Sequence, residues 1–222
     1  MLLRRLQELL GGIYDVHVEH DVCDFLVTDR EQLPAGARAG HAQEELLVAP
    51  VAAGELALSL YLDPALLRRL AAADPLERLH GGNVADCLTA LEGVSHFLYL
   101  VWNASHDRPV SLLELEMQAE VDKFIVSHTL LRRQVPGHFP LELRRVLFER
   151  ARIDPRVGAR AGLYREASGY ASRFCRYLER SLVRTRRDQG SPQEARGALL
   201  AELRRFYRFT NAAKRAHIEQ MA

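Results

Sequence analysis

Glu55-Leu56-Ala57-Leu58-Ser59-Leu60-Tyr61-Leu62-Asp63-Pro64 contains the change of period that decides the fold. Leucines at 56, 58, 60 and 62 alternate with Glu55, Ala57, Ser59 and Tyr61, as a strand with one covered face requires. Asp63 then offers a side-chain cap and Pro64 fits a first helical position, so the chain turns helical there. Towards the N-terminus, Ala52-Ala53-Gly54 separates this strand from Glu45 to Val51, and together they predict a β-hairpin. Tyr14, Val16, Val18 and His20 alternate with Asp15, His17, Glu19 and Asp21, which predicts another strand, with a short one over Cys23, Phe25 and Val27. Residues 2–10 read as an amphipathic helix that Gly11-Gly12 should end, and 32–40 as a loop.

Towards the C-terminus every signal is helical. Asp74-Pro75 repeats the cap-and-proline pair, and Gly81-Gly82-Asn83 should close one helix and cap the next, which runs to about Asn103. Ser111 and Glu114 have capping-box spacing for a helix over 112–133. Further helices are expected over 140–153, from Gly162 to about Asp188, and from a second capping box at Ser191-Pro192-Gln193-Glu194 to Gln220. The expected fold is therefore α+β and mainly α. A small N-terminal antiparallel sheet within 1–62 packs on a multi-helix unit over 63–222, the two making one globular body.

With 48% apolar and 27% charged residues the composition is that of an ordinary globular chain. Cys23, Cys87 and Cys175 lie far apart with no C-x-x-C pair, which reads as reduced thiols rather than a disulfide framework. The longest nearly apolar run, Val94 to Trp102, is too short to span a bilayer, and charges run through the first ten residues. A cytoplasmic protein without a membrane role is expected. Only Lys123 and Lys214 among the 30 basic residues are lysines, a bias suggesting a GC-rich bacterial genome.

The net charge of +1 conceals a division. Residues 1–140 carry 11 Lys+Arg against 20 Asp+Glu, or −9, and residues 141–222 carry 19 against 9, or +10. Such a split points to an anionic partner for the C-terminal helices, protein or nucleic acid, or to one half resting on the other. Arg165, Arg176, Arg204, Arg208 and Lys214 are the candidate anion-binding residues. Apolar faces on the terminal helices also suit a dimer.

The densest chemistry lies on the helix pair 83–103 and 112–133. The first is apolar nearly all round, with a single polar strip of Glu92, His96 and Asn103 beside Tyr99. The short connection through His106-Asp107-Arg108-Pro109 sets His96 level with Glu120 and Glu92 level with Lys123. Four ionisable groups buried between apolar helices must pair with one another or serve chemistry. Glu92, His96, Glu120 and Lys123 are thus candidate catalytic residues, with His96 or Glu120 as acid or base, and Glu92, His96 and Glu120 are candidate metal ligands. Asp15, His17 and Glu19 offer a weaker metal-binding face. No G-x-S-x-G, Walker loop, H-E-x-x-H or C-x-x-C is present. Two functions follow: a non-catalytic binding protein using its Arg-rich C-terminal helices, or a small enzyme or metal- or ligand-binding protein using the polar layer.

Overall fold

The hairpin forms as its alternation dictates. In the computed structural model, which describes residues 1–52, 55–136, 140, 142–149, 160–187 and 192–221, strands β2 (Glu44–Ala52) and β3 (Glu55–Leu62) pair antiparallel from Glu44↔Leu62 outward. A two-residue strand β1 (Leu26–Val27) joins the other edge of β3 in parallel, so the sheet is mixed, in the order β1-β3-β2. Leu60 and Leu62 are wholly buried, while Leu56 at the hairpin tip is exposed, so the covered face covers only the base of the hairpin.

Eight α-helices are described around this sheet: α1 (Leu2–Tyr14), α2 (Ala35–Arg38), α3 (Pro64–Ala72), α4 (Val84–Ala104), α5 (Leu112–Gln134), α6 (Ala161–Arg187), α7 (Pro192–Tyr207) and α8 (Asn211–Gln220). Asp63 caps α3 as expected, its Oδ1 accepting the Ala65 and Leu66 amides at 2.7 and 3.1 Å. Helix α4 is the centre of the molecule. It is long and apolar enough to cross a bilayer, and here it packs against α1, α3, α5, β2 and β3. One buried cluster runs from Leu3 through Leu60, Phe97 and Phe124 to Ile218, joining sheet and helices in a shared core.

Five local expectations are corrected. Helix α1 continues through Gly11-Gly12 to Tyr14, because Ile13 and Tyr14 are buried anchors, and Asp15 takes the left-handed end at φ 55°. With Tyr14 spent on the helix, 15–21 pairs with no strand. Asp74 caps only a single turn, and Asn83, at the N-cap position of α4, makes no side-chain capping bond to it. Its amide instead bonds Ala73 O and Arg78 O at 3.0 and 2.9 Å, tying down the preceding loop. The last helix breaks at 208–210, where Thr210 Oγ1 accepts the Ala213 amide and starts α8 anew. Residues 141 and 150–153 of the helix expected over 140–153, and Ser191 of the second capping box, lie outside the described residues; within the former, Arg145–Glu149 forms a π turn.

Candidate functional site

Two polar seams run through the α4–α5 interface. Each is built by residues four apart on one helix facing residues three or four apart on the other, the spacing that places side chains on a common face.

The first seam contains the four residues expected from the sequence. Lys123 Nζ sits 2.7 Å from Glu92 Oε2 and 2.8 Å from Glu120 Oε1. Burial opposes the ammonium charge, but these two carboxylates outweigh it and hold the lysine well above its usual range. His96 does not meet Glu120. Lys123 has taken that carboxylate, and the imidazole pairs one turn away with Glu116, Nε2 to Oε2 at 3.6 Å. On its other side Nδ1 lies 3.6 Å from Glu44 Oε1, on strand β2. His96 is 5% exposed, and burial alone would strip its proton. Glu116 and Glu44 prevail and raise the imidazolium to about 10. Burial shifts Glu44 upward in turn.

The strand can reach His96 because α4 carries Gly93 at the contact. A Cβ there would stand 2.7 Å from Leu60 Cδ1 and 3.0 Å from Glu44 Cγ. Gly93→Ala is expected to push Glu44 off His96 and to cost about 1–3 kcal/mol, as overpacking does. Urea denaturation checks this, and a variant as stable as the parent would contradict the close packing of β2 on α4.

Among the described residues, one group of His, Cys, Asp or Glu brings three ligand atoms within 4.8 Å of one another: Glu92, His96 and Glu116. Glu116 replaces Glu120 in the expected metal set. Both His96 Nε2 and Glu44 Oε1 are buried without a hydrogen-bond partner among the described residues. Tyr164 on α6 closes the neighbourhood. Its hydroxyl is held in the neutral form first by burial and then by the charges of Glu116 and Glu92. Asp15, His17 and Glu19 form no such group and line an open groove against α1 instead.

The second seam was not foreseen. Ser95, Tyr99 and Asn103 on α4 face Glu114, Gln118 and Asp122 on α5. Asp122 is fully buried and accepts from the Tyr14 hydroxyl, from Ser95 Oγ at 2.6 Å and from Gln118 Nε2 at 2.8 Å. Gln118 turns its oxygen to Lys214 Nζ at 2.7 Å, and Tyr99 donates to Glu114 Oε1 at 2.5 Å. The Lys214 ammonium lies 4.4 Å from the Tyr99 ring centre and 4.8 Å from that of Phe206. Burial raises Asp122 to about 6 and lowers Lys214 to about 7, against their mutual attraction. Two i, i+4 polar stripes facing each other were the available signal. It was hidden because α5 alone shows little amphipathic contrast.

The five candidate anion-binding residues are divided by the structure. Lys214 has no exposed surface, so it cannot meet an external anion. Arg204 donates to Ile13 O and Gly12 O, and Arg208 to Tyr14 O and Asp15 O. These two arginines satisfy the free carbonyls at the C-terminal end of α1, where a cation also meets the negative end of the helix dipole. Part of the charge division is thus one half of the chain resting on the other. Arg165 and Arg176 on α6 remain exposed. No known protein family, curated protein or solved structure gives a significant match to this chain.

Proposed function

We propose that this chain is a divalent-metal-binding protein whose ion is held by Glu92, His96 Nε2 and Glu116, with Glu44 orienting the imidazole through Nδ1–H. The observation that carries this reading is the buried Nε2, which faces two carboxylates and has no hydrogen-bond partner among the described residues. Nε2 and Glu116 Oε2, 3.6 Å apart, form an ion pair too long for a hydrogen bond, a buried arrangement that an ion between them would complete. A carboxylate on the far nitrogen of a histidine is the usual support for a metal ligand, since it fixes the tautomer and makes Nε2 a better donor.

Distances suit the reading. Tetrahedral donors about 2.1 Å from a zinc ion stand roughly 3.4 Å apart, and His96 Nε2 and Glu116 Oε2 already stand at 3.6 Å. Glu92 completes the set by releasing Lys123, which keeps its bond to Glu120. One imidazole and two carboxylates favour zinc, cobalt, manganese or ferrous iron over copper(I), which prefers sulfur, and over calcium, which prefers oxygen alone. Three protein donors leave a coordination position for water, the feature of metal sites that act on substrates.

Calorimetric titration of metal-free protein with zinc tests the proposal. One ion per chain is expected. Affinity should rise about tenfold per pH unit near neutrality, because the ion displaces the His96 proton. His96→Gln and Glu116→Gln should each weaken binding at least ~100-fold, and Glu44→Gln by roughly 10- to 100-fold. Zinc bound equally well by His96→Gln, or not bound by the parent protein, excludes the site.

A further inference from the structure

We infer that the outward ridge of α6 binds single-stranded nucleic acid, through the guanidinium groups of Arg173, Arg176 and Arg180 and the ring of Tyr177. Between residues 160 and 187 the sequence has eight arginines and two glutamates, a net +6 on a stretch of a chain whose total is +1. Such a field opposes folding unless an anion answers it. The acidic half of the chain does not answer it here. The arginines that rest on α1 are Arg204 of α7 and Arg208 just after it, whereas Arg173, Arg176 and Arg180 are exposed and form no ion pair among the described residues.

The three arginines and Tyr177 line a depression of about 170 Å³ with Ile218 and Met221 at its side. Residues 173, 176 or 177, and 180 recur each turn, so the cations stand about 5.4 Å apart along the helix. Arg173 is already fixed in place, its guanidinium 4.6 Å from the Tyr170 ring centre. Arg215 steadies that same tyrosine, donating to its hydroxyl at 3.0 Å.

The chemistry selects among anions. Every cation on the ridge is arginine, whose planar fork binds phosphate in bidentate fashion. Tyr177 is 37% exposed, and a ring open among arginines is a stacking platform that suits an unpaired base and has no use for a duplex. A lipid surface would favour apolar side chains projecting outward, but Ile218 beside the ridge is buried.

The test is fluorescence anisotropy with a labelled oligouridylate of about 12 nucleotides, within the usual site size. Heparin, a duplex of matched length and vesicles of anionic phospholipid serve as rival ligands. Three phosphate contacts imply that log K falls with log salt at a slope of about −2. Arg176→Glu with Arg180→Glu should weaken binding at least ~10-fold and flatten that slope while the helical circular dichroism is unchanged. Tyr177→Ala should weaken the oligouridylate on the order of tenfold and leave heparin unaffected. The inference is overturned by no binding at low salt, by a Tyr177→Ala variant that binds as the parent does, or by a preference for duplex or vesicles. None of these outcomes depends on a metal, so the two proposals fail separately.

Discussion

Asp122→Ala is expected to destabilise the protein by about 3–5 kcal/mol, enough to lower Tm by roughly 10–15 °C in a chain of this size. The carboxylate is the acceptor for the Tyr14 hydroxyl, Ser95 Oγ and Gln118 Nε2, which come from α1, α4 and α5. Alanine leaves all three donors buried and unbonded, and an unmet buried donor costs about 1–3 kcal/mol. Part of the loss is offset, because the ionised carboxylate is itself disfavoured by burial. Asp122→Asn separates the two effects. It keeps an acceptor for Tyr14 and Gln118 and offers Ser95 an N–H, so it should recover most of the loss. It should also lack the parent's loss of stability between pH 4 and 6. Asp122 has a folded pKa raised to about 6, so its contribution is full below the unfolded value and disappears as pH rises through 6. Equal melting of the alanine and asparagine variants would show that the seam is not held by these hydrogen bonds.

Between pH 7 and 10 Lys214→Met should lose about 4 kcal/mol more stability than the parent protein. Two buried cations have opposite linkage there. The Lys214 pKa is depressed to about 7, so its contribution is full above the unfolded value of 10.5 and declines as pH falls towards 7. The His96 pKa is raised to about 10, so its contribution is full below 6.5 and is lost as pH rises through 10. Each slope is about 1.4 kcal/mol per pH unit, and they cancel. Lys214 is acted on by Glu114, Asp122 and Arg108, with Tyr99, Phe206 and Tyr207 around it. Methionine fills the same space without a charge and leaves the His96 slope uncompensated. Urea denaturation at pH 7 and pH 10 reads the difference directly. Parallel behaviour of parent and variant would mean that Lys214 remains charged in the folded state throughout.

Much of this arrangement was legible where the period of the sequence is strong. Leu56 to Leu62 and Asp63-Pro64 give the hairpin and its exit into helix. The apolar circumference of 84–104 marks the central helix, and the short turn after it brings Glu92 to Lys123. What escaped depends on contacts distant in sequence. Tyr14 looks like the start of a strand by alternation, yet its hydroxyl is fixed 108 residues away on Asp122, and that contact draws the helix past two glycines. Glu44 falls just outside the strand expected over 45–51, and only Gly93 admits it beside His96. Glu116 and Glu120 are one turn apart, and only the bond from Lys123 to Glu120 decides which of them is left for the histidine. Arg204 and Arg208 carry the charge expected of a binding face, but the free carbonyls of α1 claim them.

The metal site stands or falls on the protonation of one ring nitrogen. Long-range proton–nitrogen correlation spectra of His96 at neutral pH, recorded before and after one equivalent of zinc, read both nitrogens separately. The expected spectrum is an imidazolium without zinc. With zinc, Nε2 should lose its proton and move to a metal-bound shift while Nδ1 stays protonated against Glu44. An imidazolium unchanged at saturating zinc would contradict the proposal and leave the seam as a purely structural ion-pair network.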